Sequence, residues 1–301
     1  MGTPDIAAAA LSALVEAGHT VCGAYTRADK PVGRKQIMTA PPVKQYAEAH
    51  GIPVFQPKTL REGAVRDTIR ELAPELIVVV AYGRILPPEV LSIPPKGCIN
   101  LHVSLLPKYR GAAPVQWAVL NGDRQTGVTI MYLDEGLDTG DILRVAPLEI
   151  GEDETSGELF ERVTALGAQT LLRAIDDIAA GTAQRTPQNH AEATAAPPLT
   201  KEMAQFSFDA PARKLHNLVR GMNPWPVAYF LCGGKKVKVL RTRCDDAARA
   251  APGTVFSTKP LCVACAQGAL TLLEVVPEGS RPMSGEAWAA GRRLSTGGSV
   301  L

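Results

Sequence analysis

Aromatic side chains make up only 5% of the 301 residues. A core built from this chain must therefore rest mainly on Ala, Val, Leu and Ile. No apolar run approaches the roughly 20 residues of a membrane span, and no basic stretch followed by an apolar one stands near Met1. Neither a membrane anchor nor a secretion signal is expected. Cysteine is thin too, with six residues spread out as Cys22, Cys98, Cys232, Cys244, Cys262 and Cys265. That is too few for a disulfide scaffold of this length, which points to a cytosolic, reducing compartment. Cys262-Val263-Ala264-Cys265 lacks the second ligand pair a zinc site needs, and on an alternating strand its thiols point to opposite faces. A structural role and no metal are expected. Zincin-type and phosphate-loop motifs are missing, and without a Gly-x-Gly-x-x-Gly turn a dinucleotide-dependent oxidoreductase is disfavoured.

What is present is split by charge. The whole chain carries +2, but residues 201–301 hold 14 Lys+Arg against 7 Asp+Glu, a surplus of +7 that leaves −5 for the rest. A basic final third on a nearly neutral chain fits a polyanionic partner, although a solvated basic face would look the same.

The first two hundred residues alternate helix and strand. Helices are predicted over 4–16, 43–50, 64–72, 112–121 and 156–180, and strands over 19–25, 52–55, 76–80, 98–102 and 127–133. The unbroken apolar run Leu76-Ile77-Val78-Val79-Val80 reads as a parallel strand covered on both faces. This is the pattern of a Rossmann-like, doubly wound α/β domain, placed at residues 1–181. Residues 182–200, rich in Ala, Thr, Pro and Gln, read as a linker. A helix over 211–221 and short strands over 237–241, 253–256, 261–264 and 270–276 predict a small β-barrel domain over residues 201–301. Only Met1 stands before the turn-like Gly2-Thr3-Pro4-Asp5, where a doubly wound sheet would carry a central strand. The expectation is that a native first strand lies upstream of Met1.

The densest chemistry sits in Asn100-Leu101-His102-Val103-Ser104-Leu105-Leu106-Pro107 and, 36 residues on from His102, in Gly136-Leu137-Asp138-Thr139-Gly140. Asn100 and His102 stand at i and i+2, so on a strand they face the same side. Ser104 invites a Ser/His/Asp reading, but no Gly-x-Ser-x-Gly elbow surrounds it, and a turn role is expected. Ala81-Tyr82-Gly83 follows the 76–80 strand, where ligands of such sheets bind. The stretch 27–35 is basic and too long for a simple connection.

These runs, with Tyr109-Arg110-Gly111-Ala112-Ala113-Pro114, Gly2-Thr3-Pro4-Asp5 and Asn223-Pro224-Trp225-Pro226, resemble the folate-dependent formyltransferases, and within them the tRNA-formylating branch. The resemblance runs from residue 2 to the C-terminus. It implies an oligonucleotide-binding (OB) type of barrel for the second domain and 10-formyltetrahydrofolate as formyl donor. The acceptor it implies is the α-amino group of initiator methionyl-tRNA. It also implies Asn100, His102 and Asp138 as the catalytic residues. Ser104, Leu105, Leu106, Pro107, Ala81, Tyr82 and Gly83 would form the folate pocket. The loop holding Arg34 and Lys35 would enter the acceptor end of the tRNA, and Lys235, Lys236, Lys238, Arg241 and Arg243 would grip phosphates. A monomer is expected.

Formyl transfer to an amine needs no protein nucleophile. It needs donors aimed at the formyl oxygen as negative charge builds there, and an acceptor for the amine proton. Asn100 can supply an amide N–H and a protonated His102 a charge-assisted bond. Asp138 can hold the imidazolium and take the proton. Related readings with the same trio are a formyltransferase acting on an amino sugar nucleotide or on glycinamide ribonucleotide. The ribonucleotide enzyme resembles the first domain only. A catalytically silent RNA-binding module is a third reading, against which the intact trio stands.

Overall fold

The computed structural model describes residues 1–33, 35–245 and 250–301. They form two compact units. One comprises Met1–Gly111, Gly127–Leu148 and Glu161–Ala195, the other Ala112–Thr126, Glu149–Phe160 and Ala196–Leu301. Residues 112–126 and 149–160 thus group with the C-terminal unit.

The first unit is the expected α/β domain. Ile77–Val79 pairs in parallel with Cys98–His102, which pairs antiparallel with Gln125–Tyr132, and Ile142–Glu149 completes this four-stranded sheet. All five residues of Cys98–His102 are buried, as a strand covered on both faces requires. The Ser156–Ala180 helix has the bounds its periodicity predicts. Its Gly167 lies so close to Leu101 that a Cβ would stand 3.0 Å from a leucine methyl, which fixes helix against strand.

Met1 and Gly2 lie between two sheet edges. The Gly2 N–H donates to the Tyr25 carbonyl at 2.9 Å, the Val80 N–H to the Met1 carbonyl at 2.9 Å, and the α-amino group to the Val78 carbonyl at 2.6 Å. Burial lowers that amino group to a pKa of about 6. Beside it lies a cavity of about 660 Å³ lined by Leu11, Val21, Gly23, Ile77, Val78 and Ile175. The strand predicted over 19–25 is reduced to Ala24–Tyr25, which pairs in parallel with Val54–Phe55. Residues 21–23 face the cavity, not a ladder partner.

Other elements depart from expectation. The basic stretch forms a hairpin, Lys30–Val32 against Ile37–Thr39. The Ile142–Glu149 strand carries Arg144 and Pro147 and is only half covered, so its sequence does not announce it. The predicted linker is ordered along the first unit: Thr186 bridges Ile142, and Thr194 receives the Tyr109 N–H on its hydroxyl at 2.9 Å.

The second unit is β-rich. Its antiparallel sheet runs Tyr229–Cys232, Lys235–Asp245, Ala269–Pro277, Leu261–Ala264 and Val255–Thr258, with Met283–Ser284 on Ala269–Pro277. Gly233 and Gly234, at φ +55° and +76°, supply the two positive-φ positions of the first hairpin turn. The scarce aromatics collect here: Phe230 meets Phe208 edge-on at 5.2 Å and Trp288 at 5.9 Å. The core of this unit is therefore less purely aliphatic than composition implies. The Gly285–Gly291 helix, opened by a Ser284 side-chain cap, has too few residues to show a period.

Candidate active site

Asn100 and His102 project together from Cys98–His102, opposite Met131 and Thr129 of the neighbouring strand. Both are buried, at 8% and 6% exposure. His102 Nε2 stands 2.8 Å from the Tyr109 carbonyl oxygen. That oxygen can only accept, so Nε2 carries a proton. Nδ1 faces Asp138 Oδ2 at 3.6 Å, near enough for charge attraction and too far for a direct hydrogen bond. The two ring nitrogens thus face a carbonyl oxygen and a carboxylate oxygen.

Asp138 is aimed by its loop. Its φ is +54°, in the left-handed region that an aspartate tolerates better than most residues. Asp134 Oδ1 accepts from the Gly136 N–H at 3.0 Å and the Thr139 hydroxyl at 2.6 Å, closing an Asx turn before it. Gly140 runs so close that a Cβ would overlap the Tyr132 carbonyl oxygen. The carboxylate accepts the Gly111 N–H on Oδ2 at 2.8 Å.

The turn after His102 is held from within. Thr129, fully buried, donates its hydroxyl to the Ser104 carbonyl at 2.7 Å and accepts the Leu106 N–H at 3.1 Å. Ser104 Oγ donates to the Lys108 carbonyl at 2.6 Å, so its hydroxyl is engaged in the turn. Leu106 is buried, while Leu105 and Pro107 are half-buried.

Two expected roles need correction. Tyr82 does not offer its ring to a ligand: it is 1% exposed and packed with Tyr25, Leu86 and Val90. An aromatic ring gains more from that apolar core than from the surface. Ala81 and Gly83, at φ +46° and +72°, remain exposed on either side of it. Arg241 is not a free cation. It pairs with Glu158 at 2.5 Å, and the guanidinium, with the Thr155 N–H, lowers the Glu158 pKa to about 2.

The remaining basic residues are exposed. Lys35 sits in the turn of the 30–39 hairpin, and Arg34 lies outside the described residues. Lys235, Lys236, Lys238 and Arg243 lie along the Lys235–Asp245 strand. A bulge around Leu240 shifts the register between Val239 and Thr242. It keeps Lys236 and Lys238 on the same exposed side as Arg243, despite the odd spacing. Sequence reasoning missed Thr129, Thr194 and Gln188, whose partners lie 23 to 85 residues away. No periodicity signals such pairs.

The formyl transferase family matches residues 1–175, and the formyl transferase C-terminal domain matches residues 198–293. The chain is 45% identical to a methionyl-tRNA formyltransferase of Acetivibrio thermocellus, covering 99% of this chain and 97% of that one. To that of Alkaliphilus oremlandii it is 44% identical, with the same coverage. Among solved structures, a sugar 3N-formyl transferase with dTDP and 5-N-formyl-THF superposes with a TM-score of 0.68 at 15% identity, over 93% of this chain and 97% of that one. An N-formyltransferase from Helicobacter canadensis, in complex with folinic acid and dTDP-3-aminofucose, gives 0.68 at 18% identity, over 94% and 97%. At such identities these two speak for the fold alone, whereas the full-length relatives and both domain matches speak for descent. The chain belongs to the formyl transferase family and carries both of its domains.

Proposed function

We propose that the chain transfers the formyl group of 10-formyltetrahydrofolate to the α-amino group of methionine on initiator tRNA, in the cytoplasm, where translation begins. One observation carries the reading. The His102 imidazole faces the Asp138 carboxylate with Nδ1 and Oδ2 3.6 Å apart, and Asn100 stands two residues before His102 on the same strand, on a chain 45% identical over 301 residues to a methionyl-tRNA formyltransferase.

The folate occupies the mouth framed by Ala81–Gly83 and the turn through Pro107. The amine attacks the formyl carbon, a C–N bond forms, and the carbonyl electron pair moves onto oxygen. Asn100 and the Nδ1–H of His102 stabilise that oxyanion; Nε2 is committed to the Tyr109 carbonyl. Asp138 takes the ammonium proton as the tetrahedral carbon forms. When the bond from carbon to folate N10 breaks, the proton passes to N10 and tetrahydrofolate leaves.

The tRNA is held by charge. The 30–39 hairpin presents Lys30 and Lys35 beside exposed Val32, Ile37 and Met38, a mixture suited to a nucleic acid end with unstacked bases. Lys235, Lys236, Lys238 and Arg243 contact phosphates. The test offers the purified protein 10-formyltetrahydrofolate with either methionyl initiator tRNA or a dTDP-amino sugar. Formylation of the tRNA alone is expected; formylation of the sugar alone would overturn the acceptor assignment.

A further inference from the structure

We infer that Gln188, in the stretch that reads as a linker, is a positioning residue for the Asp138 carboxylate; this rests on the formyl-transfer reading above. Gln188 is 6% exposed. Its Nε2 donates to the Asp138 carbonyl at 3.0 Å and to the Gly140 carbonyl at 2.8 Å. Its Oε1 accepts from Arg110 Nε at 3.2 Å and Nη2 at 2.6 Å. One amide has two N–H donors and two lone pairs, and all four are used. Its orientation is dictated by those partners: reversed, the oxygen would face two carbonyls and the NH2 would face a guanidinium.

These bonds close a ring around the carboxylate. Asp138 Oδ2 accepts from the Gly111 amide at 2.8 Å. Gly111 follows Arg110, whose guanidinium holds Gln188. Gln188 in turn holds the backbone of Asp138 itself. Arg110 Nη2 also lies 3.1 Å from His190 Nδ1, which steadies the outer edge. The ring matters because the Asp134 turn holds the loop before Asp138, whereas Gln188 holds the carbonyls of Asp138 and Gly140. Leu137 is 62% exposed and Asp138 has the left-handed φ of +54°. Without the two donors of Gln188, the Asp138–Thr139 and Gly140–Asp141 peptides can turn, and the 3.6 Å spacing between Oδ2 and His102 Nδ1 is lost. Gln188 touches neither substrate nor reacting atoms in this account; it acts through Asp138.

The test is a double-mutant cycle on kcat for tRNA formylation, using the full chain. Gln188→Ala alone should lower kcat about 10- to 100-fold, as expected when a catalytic group is displaced by an ångström or so. The KM for tRNA should stay within about threefold, since Gln188 touches no substrate. In an Asp138→Asn background, the same change should cost less than about threefold, because the group it positions no longer takes a proton. Gln188→Glu adds a pH signature. The ionised side chain repels both carbonyls, and the protonated one regains a donor. Its activity relative to wild type should therefore rise on acidification.

Equal fold losses in both backgrounds, or a Gln188→Glu ratio flat with pH, would overturn the inference and leave Gln188 a structural residue only. If Gln188→Ala does not fold, Arg110→Lys, which leaves Gln188 in place with a less rigid partner, reads the same coupling and decides in the same way. A wild type that transfers no formyl would overturn the formyl-transfer reading itself. That outcome is distinct from an active wild type with additive losses.

Discussion

Replacing Thr129 by valine removes one buried oxygen and both hydrogen bonds that hold the turn after His102. The hydroxyl donates to the Ser104 carbonyl at 2.7 Å and accepts the Leu106 N–H at 3.1 Å, and Thr129 has no exposed surface. Valine matches the shape but leaves a carbonyl and an amide without partners, away from water. Each such group costs about 1–3 kcal/mol, so the change should destabilise by about 2–6 kcal/mol. At about 2–4 °C per kcal/mol for a domain of this size, Tm should fall by about 4–24 °C. Because Thr129 stands opposite His102 in the ladder, the loosened turn should also lower kcat about tenfold or more, with a smaller change in KM. Thr129→Ser keeps the hydroxyl and should remain within about 1.5 kcal/mol of wild type. Thermal denaturation and steady-state formylation measure both effects. A valine variant with wild-type Tm and kcat would show that this hydroxyl does not hold the turn, and the reasoning would fail.

Two further outcomes follow from charge. The Glu158 carboxyl titrates near 2 when folded and near 4.5 when not. Its pairing therefore stabilises fully above pH 4.5, and that contribution is lost as pH falls towards 2. The pair is about half exposed, so its worth is about 1 kcal/mol or less. Glu158→Gln should flatten the Tm profile between about pH 4.5 and 2. Charge reversal at Lys236, Lys238 or Arg243 should raise the KM for tRNA and reduce the slope of log K against log salt by roughly 0.7–0.9 for each phosphate left without its cation. Arg241→Ala should mainly cost stability, because its charge is spent on Glu158.

The parts legible in sequence are those dictated by local pattern. Cys98–His102 is apolar on both faces apart from its two functional side chains, and Ser156–Ala180 repeats its apolar positions over many turns. Both have the bounds their residues predict. The 30–39 hairpin has no buried face to impose alternation, since all six of its strand residues are exposed. Ile142–Glu149 carries a proline and an arginine and so reads as loop. The trio is implied by the resemblance to the formyltransferases, and the shared strand face of Asn100 and His102 agrees with it. Its support is not: Gln188 reaches Asp138 across 50 residues, and Thr194 reaches Tyr109 across 85. Arg241 looked like a free cation because its neighbour Glu158 lies 83 residues away. Tyr82 reads as a ligand-binding residue because it follows the 76–80 strand, where ligands of such sheets bind, although its own side chain is buried in the core.

The central claim is that Asp138 takes the proton of the attacking amine beside His102. Single-turnover formyl transfer to methionyl initiator tRNA by Asp138→Asn tests it most directly. Asparagine can still accept the Gly111 N–H, so the fold and substrate affinity should hold. The rate should fall about 10²- to 10⁴-fold, the usual contribution of a positioned proton acceptor. A folded Asp138→Asn protein transferring formyl within about tenfold of the wild-type rate would contradict the account.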